Sequence, residues 1–313
     1  MGTHALARDA AGGVGGAEEG GRLEAPPTLE EVLMAKRLKG QVAIITGASR
    51  GIGFAIAQAF AAEDIAVALV ARSEAAVRTA SETIQRTGRR AIALPADVTD
   101  PRAVDSIVDE TVRRLGPVDL LINNAGSARA LGPIWEVAAD TWWQDVSTNL
   151  LGTFLCSRAV LPGMIARQHG RIINIVSAFG IQTRPDSAPS PYASAYSSSK
   201  AAVMILTQSL AAMTQAHGVR VFGLRPGFVR TAMLEDGARS PAGKQWLPEI
   251  QAILDSGRLV PAELAARWVT FLASGAADDL SGRAFSAAYD METVVARCDE
   301  IRREGQYALR LIE

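Results

Sequence analysis

From Gln41 onward the chain alternates short, continuous apolar runs with longer stretches in which apolar residues recur every three or four positions. Val42-Ala43-Ile44-Ile45-Thr46 is the first run, bounded by glycine. A run rich in β-branched residues with no polar alternation predicts a strand covered on both faces. Further runs stand at Ile65–Val70, Ala91–Leu94, Val118–Ile122, Arg171–Val176 and Val219–Leu224. Helical patterns fall between them, at Phe54–Ala62, Ser73–Arg86 and Pro101–Leu115. Strand and helix alternating at this spacing predict an α/β fold, a doubly wound parallel sheet with helices on both faces. Residues 40–288 read as a single such domain.

The flanks carry other patterns. The first 27 residues are dominated by Ala, Gly and Glu, show no hydrophobic period, and predict a disordered tail within residues 1–38. Thr28 and Glu31 resemble a capping box that opens a short helix through Leu33 and Lys36. Met34, six residues before Gly40, is an alternative initiator. No basic start precedes an apolar stretch, so a targeting peptide is not expected. In residues 289–313, Met291, Val294, Val295, Cys298 and Ile301 form one apolar stripe at helical spacing. A helical extension packed on its own domain is expected, with a partner's surface as the alternative.

Composition narrows the function classes. Hydrophobic residues make up 48%, enough for a sizeable core. The 32 basic and 33 acidic residues leave a net charge of −1, so no overall field favours nucleic acid or membrane. The longest apolar runs are interrupted before the roughly 20 residues of a membrane span. Cys156 and Cys298 cannot build a disulfide framework or a structural zinc site by themselves, so no metal is expected and a reducing, cytoplasmic setting suits them. Lysine occurs only at Lys36, Lys39, Lys200 and Lys244, which singles out each of them.

The first strand runs into Thr46-Gly47-Ala48-Ser49-Arg50-Gly51-Ile52-Gly53 and then a helix. Glycines there let the backbone turn sharply and approach a pyrophosphate, whose charge sits at the helix N-terminus. The string alone is a weak signal, and its place between the first strand and helix of a parallel sheet makes it a strong one.

This glycine spacing resembles that of the short-chain dehydrogenase/reductase family, whose domain is Rossmann-type. Asp97-Val98 follows the third strand, where the resemblance implies contact with adenine. Asn123-Asn124-Ala125-Gly126 ends the fourth strand and matches the family's NNAG. Asn149 stands in Thr148-Asn149-Leu150, Ser177 ends the fifth strand, Tyr196-Ser197-Ser198-Ser199-Lys200 matches YxxxK, and Pro226-Gly227 with Val229 and Thr231 follows the sixth. The motifs run in family order over about Gly40 to Ala288. The resemblance implies cofactor contacts from Gly47, Ser49, Arg50, Gly51, Ile52, Gly53, Arg72, Ser73, Asp97, Val98, Asn124, Ala125, Gly126, Tyr196, Lys200, Pro226, Gly227, Val229 and Thr231.

Cofactor choice is a charge question. The second strand ends Val70-Ala71-Arg72-Ser73, with no acid at Ala71 to bind a ribose diol, while Arg72 and Arg50 suit a 2′-phosphate. NADP(H) is expected over NAD(H); the alternative is that both arginines are solvated surface groups.

Tyrosine and lysine four apart share a helical face. A phenol with a pKa near 10 is a poor base at neutral pH, and a nearby ammonium favours its phenolate. The resemblance implies that Tyr196 exchanges the substrate's proton, Ser177 binds the substrate oxygen, Lys200 lowers the Tyr196 pKa and holds the nicotinamide ribose, and Asn149 binds a water linking Lys200 to solvent. The substrate implied is a small carbonyl compound or secondary alcohol. An NAD-linked oxidative dehydrogenase and a non-catalytic dinucleotide sensor are the competing readings. Enoyl reductases would need tyrosine at Ala193, and epimerases carry a different glycine spacing.

Two departures stand out. The connection from Ala178 to Ala195 is long and holds Pro185, Pro189 and Pro191, and its Ser187, Ser190 and Ser194 rival Ser177, which alone follows directly on the strand. Phe222 stands where the family commonly has asparagine, predicting altered packing without lost chemistry. After Thr231, residues 232–257 carry Met233, Leu234, Trp246, Leu247 and Ile250. An apolar lid over an apolar or aromatic substrate is one expectation, and a face packed on the domain is the other. The resemblance also implies a homodimer or homotetramer, through the helices of Asn149 and Tyr196.

Overall fold

The computed structural model describes residues 38–180 and 190–309. The expected helix around Thr28–Lys36, Met34, and Pro185, Ser187 and Pro189 of the long connection lie outside them. Seven parallel strands form one sheet in the order β3-β2-β1-β4-β5-β6-β7. They are β1 Val42–Thr46, β2 Ala66–Ala71, β3 Ala91–Pro95, β4 Leu120–Asn123, β5 Gly170–Ile175, β6 Val219–Arg225 and β7 Ala284–Ser286. The first six match the apolar runs to within two residues at each end. The short β7 was not foreseen.

Successive strand residues face opposite sides, so each fully buried strand feeds two cores. Ala43 and Ile45 point into one core with Phe222, Trp268 and Phe271, while Ile44 enters the other with Leu121, Ile172 and Leu155. The first core is covered by α1 (Gly51–Ala62), α2 (Glu74–Gln85) and a later helix at Ala262–Ser274. The second is covered by α3 (Pro101–Arg114), α4 (Ala139–Ala166) and α5 (Ser194–Thr214). Phe222 is fully buried on β6, in the first core.

α4 is 28 residues long, and by length and composition alone it is apolar enough to cross a membrane, although Asp140, Asp145 and Arg158 interrupt its apolar runs. Its buried side chains, Leu155, Cys156 and Val160 among them, pack on the sheet, and it carries the fully buried Asn149, as a core helix does. It contains a π-turn at Ser147–Leu151, with Asn149 at its centre.

Three short helices follow β6: α6 (Ala232–Arg239), α7 (Pro241–Trp246) and α8 (Pro248–Asp255); Ala262–Ser274 is α9. The terminal stripe forms two helices, α10 (Met291–Ala296) and α11 (Cys298–Glu304), where one was expected. Met291, Val294 and Ile301 are buried in the core of the sheet domain.

The strand order reverses between β1 and β4. In open parallel sheets such a switch point leaves a crevice at the carboxyl ends of the strands, where ligands bind. Gly47–Gly53, Asn124–Gly126 and Ser177 follow those strand ends.

Candidate active site

The glycine loop is built for close backbone approach. A Cβ on Gly53 would lie 2.5 Å from both the Asn124 amide nitrogen and the Gly47 carbonyl oxygen, and one on Gly47 would lie 2.9 Å from the Ala125 Cα. Gly47 and Gly51 also adopt positive φ, +64° and +58°. Asn124 donates through its carboxamide to the carbonyls of Thr46 and Gly47 at 2.9 and 3.1 Å, and the Thr46 hydroxyl accepts the N–H groups of Asn124 and Ala125 at 3.0 Å each. Asn124 therefore holds the loop's shape, with its side chain spent on backbone. Arg50, at the N-cap of α1, gives no side-chain cap, and no acid stands in the first turn. The positive end of the helix is left for an anion.

The other expected cofactor residues have the following places in the fold. Ser73 caps α2 by accepting the Ala76 N–H, and Arg72 beside it is exposed, as is Arg50. Asp97 accepts the Thr99 N–H and hydroxyl at 2.9 and 2.8 Å, which fixes the turn after β3. Val98 packs its side chain on α4 at Gly152, where a Cβ would meet it at 2.6 Å. Gly227 has φ +80°, Val229 bridges to Val260, and Thr231 caps α6 with its methyl facing Gly51. These features fit a dinucleotide: a cradle that only glycine permits and a helix terminus without an acid.

Asn149, Ser177, Tyr196 and Lys200 converge at the carboxyl ends of β4 and β5. Lys200, one turn after Tyr196 on α5, is buried and donates to the Ile175 carbonyl at 2.7 Å. Its ammonium nitrogen lies 5.9 Å from the Tyr196 ring centre. The Ser177 hydroxyl lies close enough to the Tyr196 phenol to favour its phenolate. Asn149 donates to the Ser127 carbonyl and the Ser199 hydroxyl at 2.9 Å each, and its Oδ1 accepts the Ser127 N–H at 2.8 Å. Gly126 faces this group: a Cβ there would lie 3.2 Å from Asn149 Oδ1, 3.4 Å from Met233 Cε and 3.8 Å from Lys200 Nζ.

Burial sets the electrostatics. It raises the Tyr196 phenol above its ordinary value, and the Ser177 hydroxyl offsets part of that rise. It also pushes Lys200 down to about 8. The expected lowering of the tyrosine is thus reversed, because desolvation of the phenolate dominates. Among the described residues no group of three or more His, Cys, Asp or Glu side chains could hold a metal ion.

The wall around Tyr196 is aromatic and apolar. Phe179 meets Tyr196 edge-on at 6.3 Å and Phe228 at 6.2 Å, and Tyr192 lies 5.1 Å from Trp246 of α7. Leu247, Ile250 and Leu254 pack together beneath Tyr192 and Tyr196. Residues 232–257 pack on the domain through α8, and Met233 approaches Gly126. Sequence reasoning missed Ser127, Asp145, Ser199, Phe179 and Phe228. An acid one turn before Asn149 in an apolar helix was the available signal for Asp145.

A family model described as short chain dehydrogenase matches residues 41–241. A short chain dehydrogenase of Pseudocercospora fijiensis is 35% identical over 278 residues, covering 86% of each chain. The 3-oxoacyl-[acyl-carrier-protein] reductase of Escherichia coli is 36% identical over 247 residues, 78% of this chain and 94% of that protein. Among solved structures, a variant actinorhodin polyketide ketoreductase crystallised with NADPH superposes with a TM-score of 0.69 at 31% identity, over 80% of this chain and 98% of that one. A putative short-chain alcohol dehydrogenase from Sinorhizobium meliloti gives 0.69 at 34% identity, over 80% and 95%. With the glycine loop, a partly buried tyrosine one turn before a buried lysine, and the strand-end serine brought together, the chain belongs to the short-chain dehydrogenase/reductase family, oxidoreductases that act on alcohol and carbonyl groups with a nicotinamide dinucleotide.

Proposed function

We propose that this enzyme is an NADP(H)-dependent reductase of apolar or aromatic ketones. The observation that carries the cofactor choice is a pair of exposed guanidinium groups, Arg50 and Arg72, with no carboxylate partner among the described residues and no acid at Ala71. An acid there would repel a 2′-phosphate, whereas two guanidinium forks attract one. Catalytic efficiency with NADPH against NADH tests this, and a clear preference for NADH overturns it.

Bound in the crevice, the dinucleotide supplies the hydride. Gly47, Ser49, Gly51, Ile52 and Gly53 would hold its pyrophosphate end, with Asn124 bracing the loop behind them. Asp97 and Val98 would border adenine, and Ala125, Gly126, Lys200, Pro226, Gly227, Val229 and Thr231 would border the nicotinamide side. The protein's own part is orientation and proton movement. Ser177 hydrogen-bonds the substrate oxygen and polarises the carbonyl. Tyr196 gives its phenolic proton to that oxygen as negative charge develops there. A phenol is protonated at neutral pH, the state a reductive proton donor needs. Lys200 carries a positive charge beside the phenol when protonated, and Asn149 keeps the π-turn and Ser127 in register with it.

The aromatic wall formed by Phe179, Phe228, Tyr192 and Trp246 supports an apolar substrate. Leu151 and Phe154 of α4 and Ile205 and Met213 of α5 are large apolar residues left exposed, which supports a homodimer or homotetramer through these helices. A monomeric mass by light scattering at micromolar concentration would count against it. The free thiols of Cys156 and Cys298 suit a reducing, cytoplasmic setting.

A further inference from the structure

Asp145 is a fully buried acid on α4, one helical turn before Asn149, with no basic side chain paired to it among the described residues. Its Oδ1 accepts the Ser127 hydroxyl at 2.5 Å, and its Oδ2 accepts the N–H groups of Arg129 and Ala130 at 2.7 and 2.8 Å. All three donors come from one loop. That loop has its ends on the catalytic group. Ser127 grips the Asn149 carboxamide through both its N–H and its carbonyl. Leu131 packs in the cluster that holds Tyr192 and Tyr196, and the Gly132 N–H donates to the Tyr192 carbonyl at 2.9 Å.

Stability alone does not explain an acid here. An apolar side chain suits a buried position on a core helix, and a buried carboxylate is costly unless its oxygens are filled by donors. Charge and loop are therefore interdependent: if the loop moves, the carboxylate is stranded, and if the carboxylate is lost, two N–H groups and a hydroxyl lose their acceptor.

We propose that Asp145 is a positioning residue for the reaction, a buried anchor that holds Ser127–Gly132 so that Asn149 and the substrate-side wall at Tyr192 and Tyr196 keep a fixed spacing. The inference rests on the proton-transfer role given above to Tyr196 and its neighbours. The pyrophosphate end of the cradle is braced separately by Thr46 and Asn124, so loss of the anchor acts mainly on turnover and only weakly on dinucleotide binding.

The test compares Asp145→Ala, Asp145→Asn and Ser127→Ala with the parent chain. NADPH affinity is measured by fluorescence titration, turnover on 1-tetralone and 4-phenyl-2-butanone, and amide exchange over residues 127–132 and 192–196. Misplacement of catalytic groups predicts that Asp145→Ala lowers kcat on the order of 10- to 100-fold while NADPH affinity stays within about 3-fold. Its amide exchange accelerates in both segments, a readout that needs no substrate. Asp145→Asn recovers most of the loss, since its carboxamide can accept the two N–H groups and donate to Ser127 Oγ. If Asp145→Ala does not fold, Ser127→Ala, which removes one donor and leaves the carboxylate two, takes its place with a smaller loss in kcat. Unchanged kcat and exchange, an asparagine variant as damaged as alanine, or NADPH affinity falling in step with kcat overturns the proposal. Tyr196→Phe separates the two levels: if it is active the proton-transfer reading fails, and if it is inactive while Asp145→Ala is normal only the anchor fails.

Discussion

Lys200 and Ile175 are joined by a 2.7 Å hydrogen bond from the buried ammonium to the main-chain carbonyl, two residues before Ser177 on the same strand end. The bond ties α5 to β5, so the tyrosine's helix and the serine's strand are set against each other by the lysine between them. It also leaves a cation in a desolvated place, which has consequences for pH.

Burial holds Lys200 at about 8, against an ordinary 10.5. Below pH 8 folded and unfolded chains both carry the proton, and the full cost of the buried charge is present. Between about 8 and 10.5 the unfolded chain binds more protons, so stability rises with pH. Relative to Lys200→Met, the parent chain should gain roughly 2 to 3 kcal/mol between pH 7 and pH 10. Urea unfolding of both proteins across that range measures the difference; a constant gap would show that the lysine is not desolvated.

Tyr196→Phe removes the phenolic proton and little else, because the ring contact with Phe179 survives. Ketone reduction should fall about 100-fold or more, as expected for loss of a positioned acid. NADPH binding and thermal unfolding should change little, as checked by titration and calorimetry.

Arg72→Ala should raise the NADPH KM about tenfold, the worth of one charge-assisted hydrogen bond to a phosphate, and leave the NADH KM unchanged. Equal effects on both cofactors would place Arg72 away from the 2′ position. Steady-state kinetics with each cofactor decides it.

Gly53→Ala puts a methyl group 2.5 Å from the Gly47 carbonyl, backbone that cannot step aside. Dinucleotide affinity should drop by an order of magnitude or more, since the loop must open to accept the side chain. Gly257→Ala is strained by its φ of +67° but has open space around it, and should leave affinity unchanged. The pair distinguishes loss of the cradle from a general glycine effect.

Cys156 is buried on α4, and burial pushes its thiol up to about 12. At pH 8 its thiolate fraction is roughly one in ten thousand, so the native thiol should resist a disulfide reagent and react once unfolded. Rapid labelling of Cys156 in the native protein, read by mass spectrometry, would contradict its place in the core.

The sequence alone determined the fold class, six of the seven strands, the glycine loop and the order of Asn149, Ser177, Tyr196 and Lys200. Strand burial and helical periodicity are local patterns, and the motif residues sit at fixed offsets from strand ends, so both are written along the chain. The short β7 was invisible because Ala284–Ser286 is too brief to carry a pattern and is defined by its pairing with β6. The direction of the Tyr196 shift was decided by tertiary structure, since desolvation depends on what surrounds the phenol. The same holds for Asp145: its donors are 15 to 18 residues away in the chain, and only the packed loop brings them to the carboxylate.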